Sequence, residues 1–216
     1  MISRARPLGG VYRRVMDEAL RAELLCRVEK DQAARLAHDS DAWGEADREN
    51  LPWLRRVIAE HGWPGASMVG TDGAHAAWLL VQHASADRPF QRHCLDLMTA
   101  AVEAGEAAQR DLAYLTDRVL LAEGRQQEYG TQLTSRGGKW VPRNLRDLEG
   151  VDERRASVGL GPLADYLSRS AGRPPFGARL TCRRCGARVE FNPPDVNQSV
   201  TVTCPSCGLE MVMRLP

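Results

Sequence analysis

The sequence GAHAAWLLVQHA, at residues 73–84, is the most apolar stretch of the chain. At helical spacing, Leu80 and His83 fall on one face of this segment, and Trp78 and Gln82 fall on another. Both faces therefore mix apolar and polar side chains. This mixture predicts a helix that is buried on most of its sides, among other helices of one domain.

Further segments with helical periodicity lie on both sides of this helix. Residues 39–49 and 125–150 are polar or aperiodic and predict loops. Short connections between helices favour antiparallel neighbours. We therefore expect a mainly α fold, with a compact multi-helix domain over residues 1–170. The predicted helices span residues 11–38, 50–61, 73–84, 88–104, 107–123, 152–158 and 162–169.

The composition is that of a soluble globular protein. Charged residues make up 26% of the 216 residues, and the formal net charge is +1. No apolar run approaches the roughly 20 residues of a transmembrane helix, and no signal-peptide core follows the basic residues 1–6. Binding of nucleic acid by the whole chain would need a larger excess of basic over acidic residues. We therefore expect a cytoplasmic protein with no membrane partner.

The C-terminal segment carries a strongly specific pattern of cysteines. Cys182 and Cys185 form one CxxC pair, Cys204 and Cys207 form a second, and 18 residues separate the pairs. Two thiolates on one tight turn can share a metal ion, and a second such turn completes a tetrahedron with Zn–S distances of ~2.3 Å. Four thiolates leave no open coordination position. The sequence therefore predicts a structural zinc ion as the cofactor.

Short segments with β-compatible alternation flank these cysteines, so residues 179–216 resemble a zinc ribbon. A Gly- and Pro-containing linker at 171–178 precedes it. Two disulfides or an iron site are the alternatives, although a chain without a secretion signal seldom keeps structural disulfides. The ribbon could dock a protein. Residues 173–216 hold six basic and three acidic side chains, which makes nucleic acid the less favoured partner.

The helical domain also contains five polar phrases that ordinary packing does not require. They supply histidine, aspartate, arginine, tyrosine and glutamine side chains, and polar groups of this kind on loops serve recognition more often than packing. The phrases are HGWPG at 61–65, QHA at 82–84, TDR at 116–118, YGTQ at 129–132 and DERR at 152–155.

In this order, the phrases resemble an uncharacterised family of bacterial proteins, a domain of unknown function. The resemblance rests on the pattern HGWPG…LLVQHA…LTDRV…YGTQ…VDERR…GL and covers about residues 20–167. It implies a bacterial protein and brings no established activity. Family members often have an aspartate directly after Gln-His-Ala, where this chain has Ser85. The cysteine pattern lies outside the family's usual extent.

Three residues are candidates for catalysis. His83 could act as a base or metal ligand, although a histidine on an apolar face is more often a hydrogen-bonded core residue. Asp117 could orient a histidine through its second ring nitrogen, or it could tie the 125–150 loop to its helix. His61 precedes a rigid Trp-Pro-Gly turn and could reach a pocket, or it could simply complement the helix dipole.

Five further residues are candidates for ligand binding. Arg118 cannot pair with the adjacent Asp117 along one helix, because helical ion pairs need a spacing of three or four residues. It could therefore hold a carboxylate or phosphate with its two guanidinium arms. For Arg155 the alternative is a solvated charge at an exposed helix start. The other candidates are Gln82, Tyr129 and Gln132.

Two functions follow from these features. In the first, the helical domain has a polar pocket that binds or transforms a small polar, anionic ligand, next to a structural zinc ribbon. In the second, the polar phrases are buried hydrogen-bond networks of a non-enzymatic interaction protein, whose ribbon docks a protein or nucleic acid. Convergence of the phrases on one open cleft favours the first. No P-loop, dinucleotide-binding, zincin or hydrolase motif is present, so the sequence leaves open whether the protein is an enzyme.

Overall fold

The computed structural model describes residues 16–36, 40–136, 139–171, 178–191 and 199–214. Within these ranges the chain is mainly helical, as predicted. The helices are α1 (Glu18–Leu36), α2 (Ser40–His61), α3 (Ala66–His83), α4 (Arg88–Glu103), α5 (Gln109–Ala122), α6 (Val151–Ser157) and α7 (Leu163–Ala171). The strands are β1 (Leu133–Arg136), β2 (Lys139–Pro142), β3 (Ala178–Thr181), β4 (Arg188–Phe191), β5 (Ser199–Thr203) and β6 (Glu210–Arg214).

Some predicted segments lie outside the described residues. They are residues 11–15 and 37–38 of the first predicted helix, residues 39 and 137–138 of the two predicted loops, residues 172–177 of the predicted linker, and residues 192–198 and 215–216 of the predicted zinc ribbon. No described helix is both long enough and apolar enough to cross a membrane.

The prediction of a loop at 39–49 is wrong for the described residues 40–49, which form the first half of α2. This half is polar and contains Gly44, features that favour a loop locally. Tertiary contacts with α1 outweigh that preference. Arg35 of α1 lies over the ring of Trp43 at 5.7 Å and pairs with Asp47 at 2.6 Å.

The central helix α3 begins at Ala66, earlier than the predicted start at residue 73, and it is kinked at Gly70. Gly70 has φ 74° and ψ 165°, a backbone conformation that glycine adopts readily and other residues do not. Beyond the kink, the apolar side chains of the helix are buried on opposite sides, including Ala77, Leu80 and Val81. Full burial of a leucine or valine side chain stabilises a fold by about 2 kcal/mol.

The core of the helical domain is organised around α3. This helix packs against α1, α2, α4 and α5, with its most extensive contacts on α1. Its side chains join one hydrophobic cluster with residues of those helices, such as Leu24, Leu54, Met98 and Leu115, each at most 1% exposed. The polar end of α3, at Gln82 and His83, is thereby fixed among four helices.

The segment predicted as a loop at 125–150 contains an antiparallel hairpin of β1 and β2. Helix α7 packs on β2, and α6 packs on α7. The hairpin and α7 supply residues to the same cavity wall as α3 and α5. This second layer of structure therefore completes the site.

Residues 178–191 and 199–214 form a separate four-cysteine module of two antiparallel hairpins, β3–β4 and β5–β6. Each CxxC pair occupies the turn between the two strands of its hairpin. The buried side chains of the module form a small cluster of its own: Cys182, Val189, Val202, Cys204 and Met211. A core of this size is too small to hold such a module together by apolar burial alone.

Candidate functional site

An open cavity of about 370 Å³ lies where the C-terminal half of α3 meets α5, the β1–β2 hairpin and α7. Three of the five polar phrases contribute to its wall. The polar side chains of the wall include Gln82, His83, Arg118, Thr131 and Gln132. The aromatic side chains of the wall are Trp78, Tyr114, Trp140 and Tyr166.

His83 is anchored by a carboxylate of another helix. Its Nδ1 lies 2.8 Å from Oδ2 of Asp31, which belongs to α1. Facing a carboxylate, Nδ1 is assigned as the donor of this hydrogen bond. Within the described residues Nε2 makes no hydrogen bond, and the His83 side chain retains 18% exposure. The pair therefore fixes one face of the imidazole and leaves the other nitrogen for the cavity.

Asp31 is fully buried and is stabilised as a carboxylate. Besides His83, it accepts hydrogen bonds from Arg35 at 2.9 Å and from Gln32 at 2.8 Å. Burial alone raises the pKa of Asp31, but the hydrogen bonds from His83 and Arg35 outweigh it and lower the pKa to about 2. Asp31 thus carries a full negative charge next to the imidazole at neutral pH.

Arg118 supplies a positive charge to the cavity. Its Nε donates to Oε1 of Gln82 at 2.7 Å. Burial lowers the pKa of Arg118 to about 10, and repulsion from Arg35 and Arg143 adds to this effect. The side chain is still protonated at neutral pH. No carboxylate of the described residues forms an ion pair with it, although a buried cation without a counter-charge is costly.

The cavity residues from the YGTQ phrase are held by a rigid loop. Gln127 Nε2 donates to the carbonyl of Gln132 at 2.9 Å, and Gln132 N donates to Gln127 Oε1 at 3.0 Å. The Gln132 amide also donates to the hydroxyl of Thr131 at 3.1 Å. Tyr166 of α7 donates to the carbonyl of Thr131 at 2.9 Å. These bonds position the loop against the cavity.

Asp117 contacts no histidine of the described residues, although its place in the sequence made it a candidate to orient one. It is fully buried and accepts from the backbone N–H groups of Glu128, Tyr129 and Thr131 at 2.8, 3.0 and 2.9 Å. The Thr131 hydroxyl adds a fourth bond at 2.9 Å. Burial raises the pKa of Asp117, against the opposing effect of these donors. These contacts match the alternative role predicted for Asp117, in which it holds the loop that follows α5 to that helix. The carboxylate that contacts His83 is Asp31.

Arg155 is 1% exposed, so the alternative of a solvated charge at a helix start is wrong. Its Nε donates to the carbonyl of Gly161 at 2.7 Å, and Nη1 donates to the carbonyl of Tyr129 at 2.7 Å. It also lies over the ring of Tyr166 at 5.2 Å. Neither Arg155 nor Tyr129 lines the cavity, so the structure places both in the support of the loop.

His61 is likewise separate from the cavity. It ends α2, with Nε2 at 3.7 Å from Glu60 and 37% of the side chain exposed. The following residues Trp63, Pro64 and Gly65 are buried. A Cβ atom at Gly65 would lie 2.6 Å from Oε2 of Glu106, so this phrase serves close packing against the α4–α5 connection.

The contact of Asp31 with His83 was not predicted from the sequence, because 52 residues separate the two. One local signal was present. Leu24 and Val28 mark the apolar face of α1, and Asp31 continues that row at helical spacing, where an apolar residue would be expected. A second pair, His75 Nδ1 and Asp111 Oδ2 at 2.7 Å, was also missed. The Asp111 hydrogen bond raises the pKa of His75, which stays half exposed.

The four cysteines of the module converge. Their sulfur atoms lie within 4.8 Å of one another, with 3.5 Å between Cys182 and Cys207 and 3.6 Å between Cys185 and Cys204. Four sulfurs at ~2.3 Å from one ion in a tetrahedron would be spaced by about 3.8 Å. The two CxxC turns match each other, because Gly186 and Gly208 both have φ 70° and donate backbone hydrogen bonds of 2.8 Å. The cluster could therefore hold a metal ion.

Fold and site together define a small helical protein with a polar cavity and an appended cysteine cluster of metal-binding geometry. No curated protein and no solved structure matches the chain. The model of a family of unknown function, DUF6624, matches residues 18–171, and the chain belongs to this family. The resemblance to an uncharacterised family is thereby confirmed. The match ends before the four-cysteine module.

Proposed function

We propose that the helical domain binds a small anionic ligand in the cavity, with Arg118 as the anion-binding cation and His83 as the group that exchanges a proton with the ligand. The observation that carries the proposal is the pairing of these residues in one wall. The Nδ1 atom of His83 is hydrogen-bonded to the buried carboxylate of Asp31, and Arg118 has no acidic partner within the described residues.

The His83–Asp31 pair supports general acid–base chemistry. Asp31 fixes the orientation of the ring through Nδ1, so that Nε2 is the ring nitrogen available to exchange a proton with a ligand. Arg118 would meanwhile hold the anionic part of the ligand, since a guanidinium forms strong, charge-assisted hydrogen bonds with oxyanions. The reaction class that this geometry favours is proton transfer to or from a bound anion.

Other residues of the polar phrases support the interaction-protein alternative. Asp117 and Arg155 belong to buried networks in which backbone groups satisfy their charges, and such networks need no ligand. These networks do not account for the polar groups in the wall of the cavity. Arg118 and His83 point to a ligand because each offers polar atoms that the described protein residues do not use. Docking of a partner by the four-cysteine module stays a prediction, as do the cytoplasmic location and the bacterial origin.

We further propose that the four cysteines bind one structural zinc ion. Thiolates are soft ligands that suit zinc, and the tetrahedral cluster leaves no position for a substrate. Metal analysis of the purified full chain should find one zinc per chain. Iron, or no metal under reducing and chelator-free conditions, would contradict the assignment.

Isothermal titration of the full chain with inorganic phosphate tests the cavity. Arg118→Gln removes the charge and is expected to weaken binding roughly tenfold or more, the usual worth of a charge-assisted hydrogen bond. Arg146→Gln is the matched control, because Arg146 is 52% exposed and lines no part of the cavity. Equal affinity of wild type and Arg118→Gln, with both folded by circular dichroism, would overturn the proposal, as would a wild type that does not bind phosphate.

His83→Asn and His83→Gln separate the two ring nitrogens. Asparagine can still donate to Asp31 from near the position of Nδ1, whereas glutamine reaches toward the position of Nε2. If Nε2 contacts the ligand, His83→Gln should retain more phosphate affinity than His83→Asn. The reverse order would show that only the contact with Asp31 matters.

A further inference from the structure

A second cavity of about 470 Å³ adjoins the first. The two cavities share Arg118 and Gln132 in their walls, whereas His83 and the aromatic rings line only the first. We propose that one ligand occupies both cavities, and that it is a phosphate monoester whose alcohol half is aromatic. This inference rests on the proposed function and specifies its substrate class.

The second cavity collects uncompensated positive charge. Its wall contains Arg88, Arg118 and Arg143, and within the described part of the chain none of the three forms an ion pair with a carboxylate. The wall has one acidic residue, Glu123, which is already paired with Arg92 and Arg125 at 3.4 Å each. The net charge of the wall of the second cavity is therefore positive, in a chain whose formal net charge is +1.

This charge fits a phosphate better than a carboxylate. A carboxylate carries one negative charge and would be matched by a single arginine. A phosphate monoester carries about −1.5 to −2 charges near neutral pH and three acceptor oxygens, so it can engage two or three guanidinium groups at once. Repulsion between Arg143 and Arg118 contributes to the lowered pKa of Arg118, and a dianion held between them would relieve it.

The first cavity fits the other half of the ligand. Trp78 and Tyr114 meet at 6.0 Å and 74°, and Tyr114 and Tyr166 at 6.3 Å and 84°, so the wall presents a run of edge-to-face rings. Rings in such arrangements pack favourably with a further aromatic group. An inorganic anion would leave this aromatic surface in water. With the phosphate near Arg118 and Arg143, the aromatic half would lie next to His83.

Titration calorimetry on the full chain tests the inference with three probes: phenyl phosphate, inorganic phosphate and phenol. We expect phenyl phosphate to bind roughly tenfold or more tightly than inorganic phosphate, and phenol to bind more weakly than either. Arg143→Gln should weaken phenyl phosphate binding roughly tenfold or more. The phenyl phosphate affinity of Arg143→Lys should lie between those of wild type and Arg143→Gln, because lysine keeps the charge but loses the bidentate geometry of the guanidinium. Arg146→Gln, three residues along the same segment, should match wild type.

The outcomes separate this inference from the proposed function. If Arg118→Gln weakens phosphate binding while the phenyl group adds no affinity, or while Arg143→Gln and Arg143→Lys both bind as wild type does, the ligand class is overturned and the anion site stands. If neither phosphate nor phenyl phosphate binds the wild type, both proposals are overturned. Tight, Arg143-dependent binding of phenyl phosphate supports both.

Discussion

Asp31 couples the stability of the helical domain to pH in a way that can be calculated from the structure. Its pKa falls from its usual 3.8 to about 2, although burial opposes the change, because His83 and Arg35 donate to the carboxylate. A lowered pKa means that the folded state favours the ionised form. The stabilisation is therefore fully present above the unfolded pKa and is lost as the pH falls through the folded pKa.

The size of this effect follows from the shift. Nearly two pKa units correspond to about 2 kcal/mol at neutral pH. Asp31→Asn keeps the shape of the side chain and an acceptor oxygen but removes the charge. We expect this variant to lose about 2 kcal/mol of unfolding free energy at pH 7, or roughly 4–8 °C in Tm for a protein of this size. At about pH 3 the difference from wild type should shrink to about 1 kcal/mol.

Urea denaturation followed by far-UV circular dichroism measures the difference, because the helical signal reports on the helical domain. Asp96→Asn is the matched control. Asp96 is 64% exposed and pairs with Arg92 at 3.5 Å along α4, so its loss should cost under about 1 kcal/mol. If Asp31→Asn is as stable as wild type at pH 7, or if its deficit is the same at pH 7 and pH 3, the account of Asp31 is refuted.

Three further predictions concern groups outside the cavity wall. Asp117→Ala removes the acceptor for three backbone N–H groups and one hydroxyl, so it should lower the unfolding free energy by about 3 kcal/mol or more. It should also speed amide hydrogen exchange at residues 127–132. Unchanged exchange there would contradict the role of Asp117 in holding this loop to α5. Cys204→Ser should abolish metal binding by the full chain and leave the helical circular dichroism intact, and metal content equal to wild type would contradict the four-cysteine site. Because Asp111 raises the pKa of His75, their contact stabilises the fold below the unfolded pKa and is lost as the pH rises through the folded pKa. His75→Gln should therefore cost more stability at about pH 5 than at about pH 8, and equal costs would contradict this.

Local chemistry made part of the fold predictable. Asp87 caps α4, because its Oδ1 accepts from the N–H of Phe90 at 3.1 Å, and an aspartate shortly before a proline is a common sequence signal for a helix start. Gly105 and Gly124 have φ 73° and 74° just beyond α4 and α5, where glycine commonly ends a helix. These signals lie within a few residues of the helix ends that they determine, so the helix ends can be predicted from the sequence alone.

The cysteine cluster was predictable for the same reason. Each pair shares one turn, and the glycine after each second cysteine allows the backbone to fold back on the first. Only the meeting of the two turns needs the tertiary fold. The pattern indicates that meeting because isolated pairs would leave a metal ion half-coordinated.

The site was harder to predict because its decisive contacts join distant segments. A carboxylate on α1 and one on α5 are equally plausible partners for His83 in sequence, and only the packing of α1 on α3 brings Asp31 to the ring. Arg155 shows the same limit. Charges at helix starts are commonly solvated, yet this one is buried because the loops around it offer carbonyl oxygens.

The imidazole nitrogens of His83 offer the most direct test of a ligand site in this cavity. Long-range ¹H–¹⁵N NMR of the full chain would follow Nε2 during a titration with inorganic phosphate. We expect a saturable shift of the His83 Nε2 signal in wild type, which in Arg118→Gln needs roughly tenfold or more phosphate and in Arg146→Gln is unchanged. A His83 signal that stays fixed while phosphate binds, or that moves equally in Arg118→Gln, would contradict it.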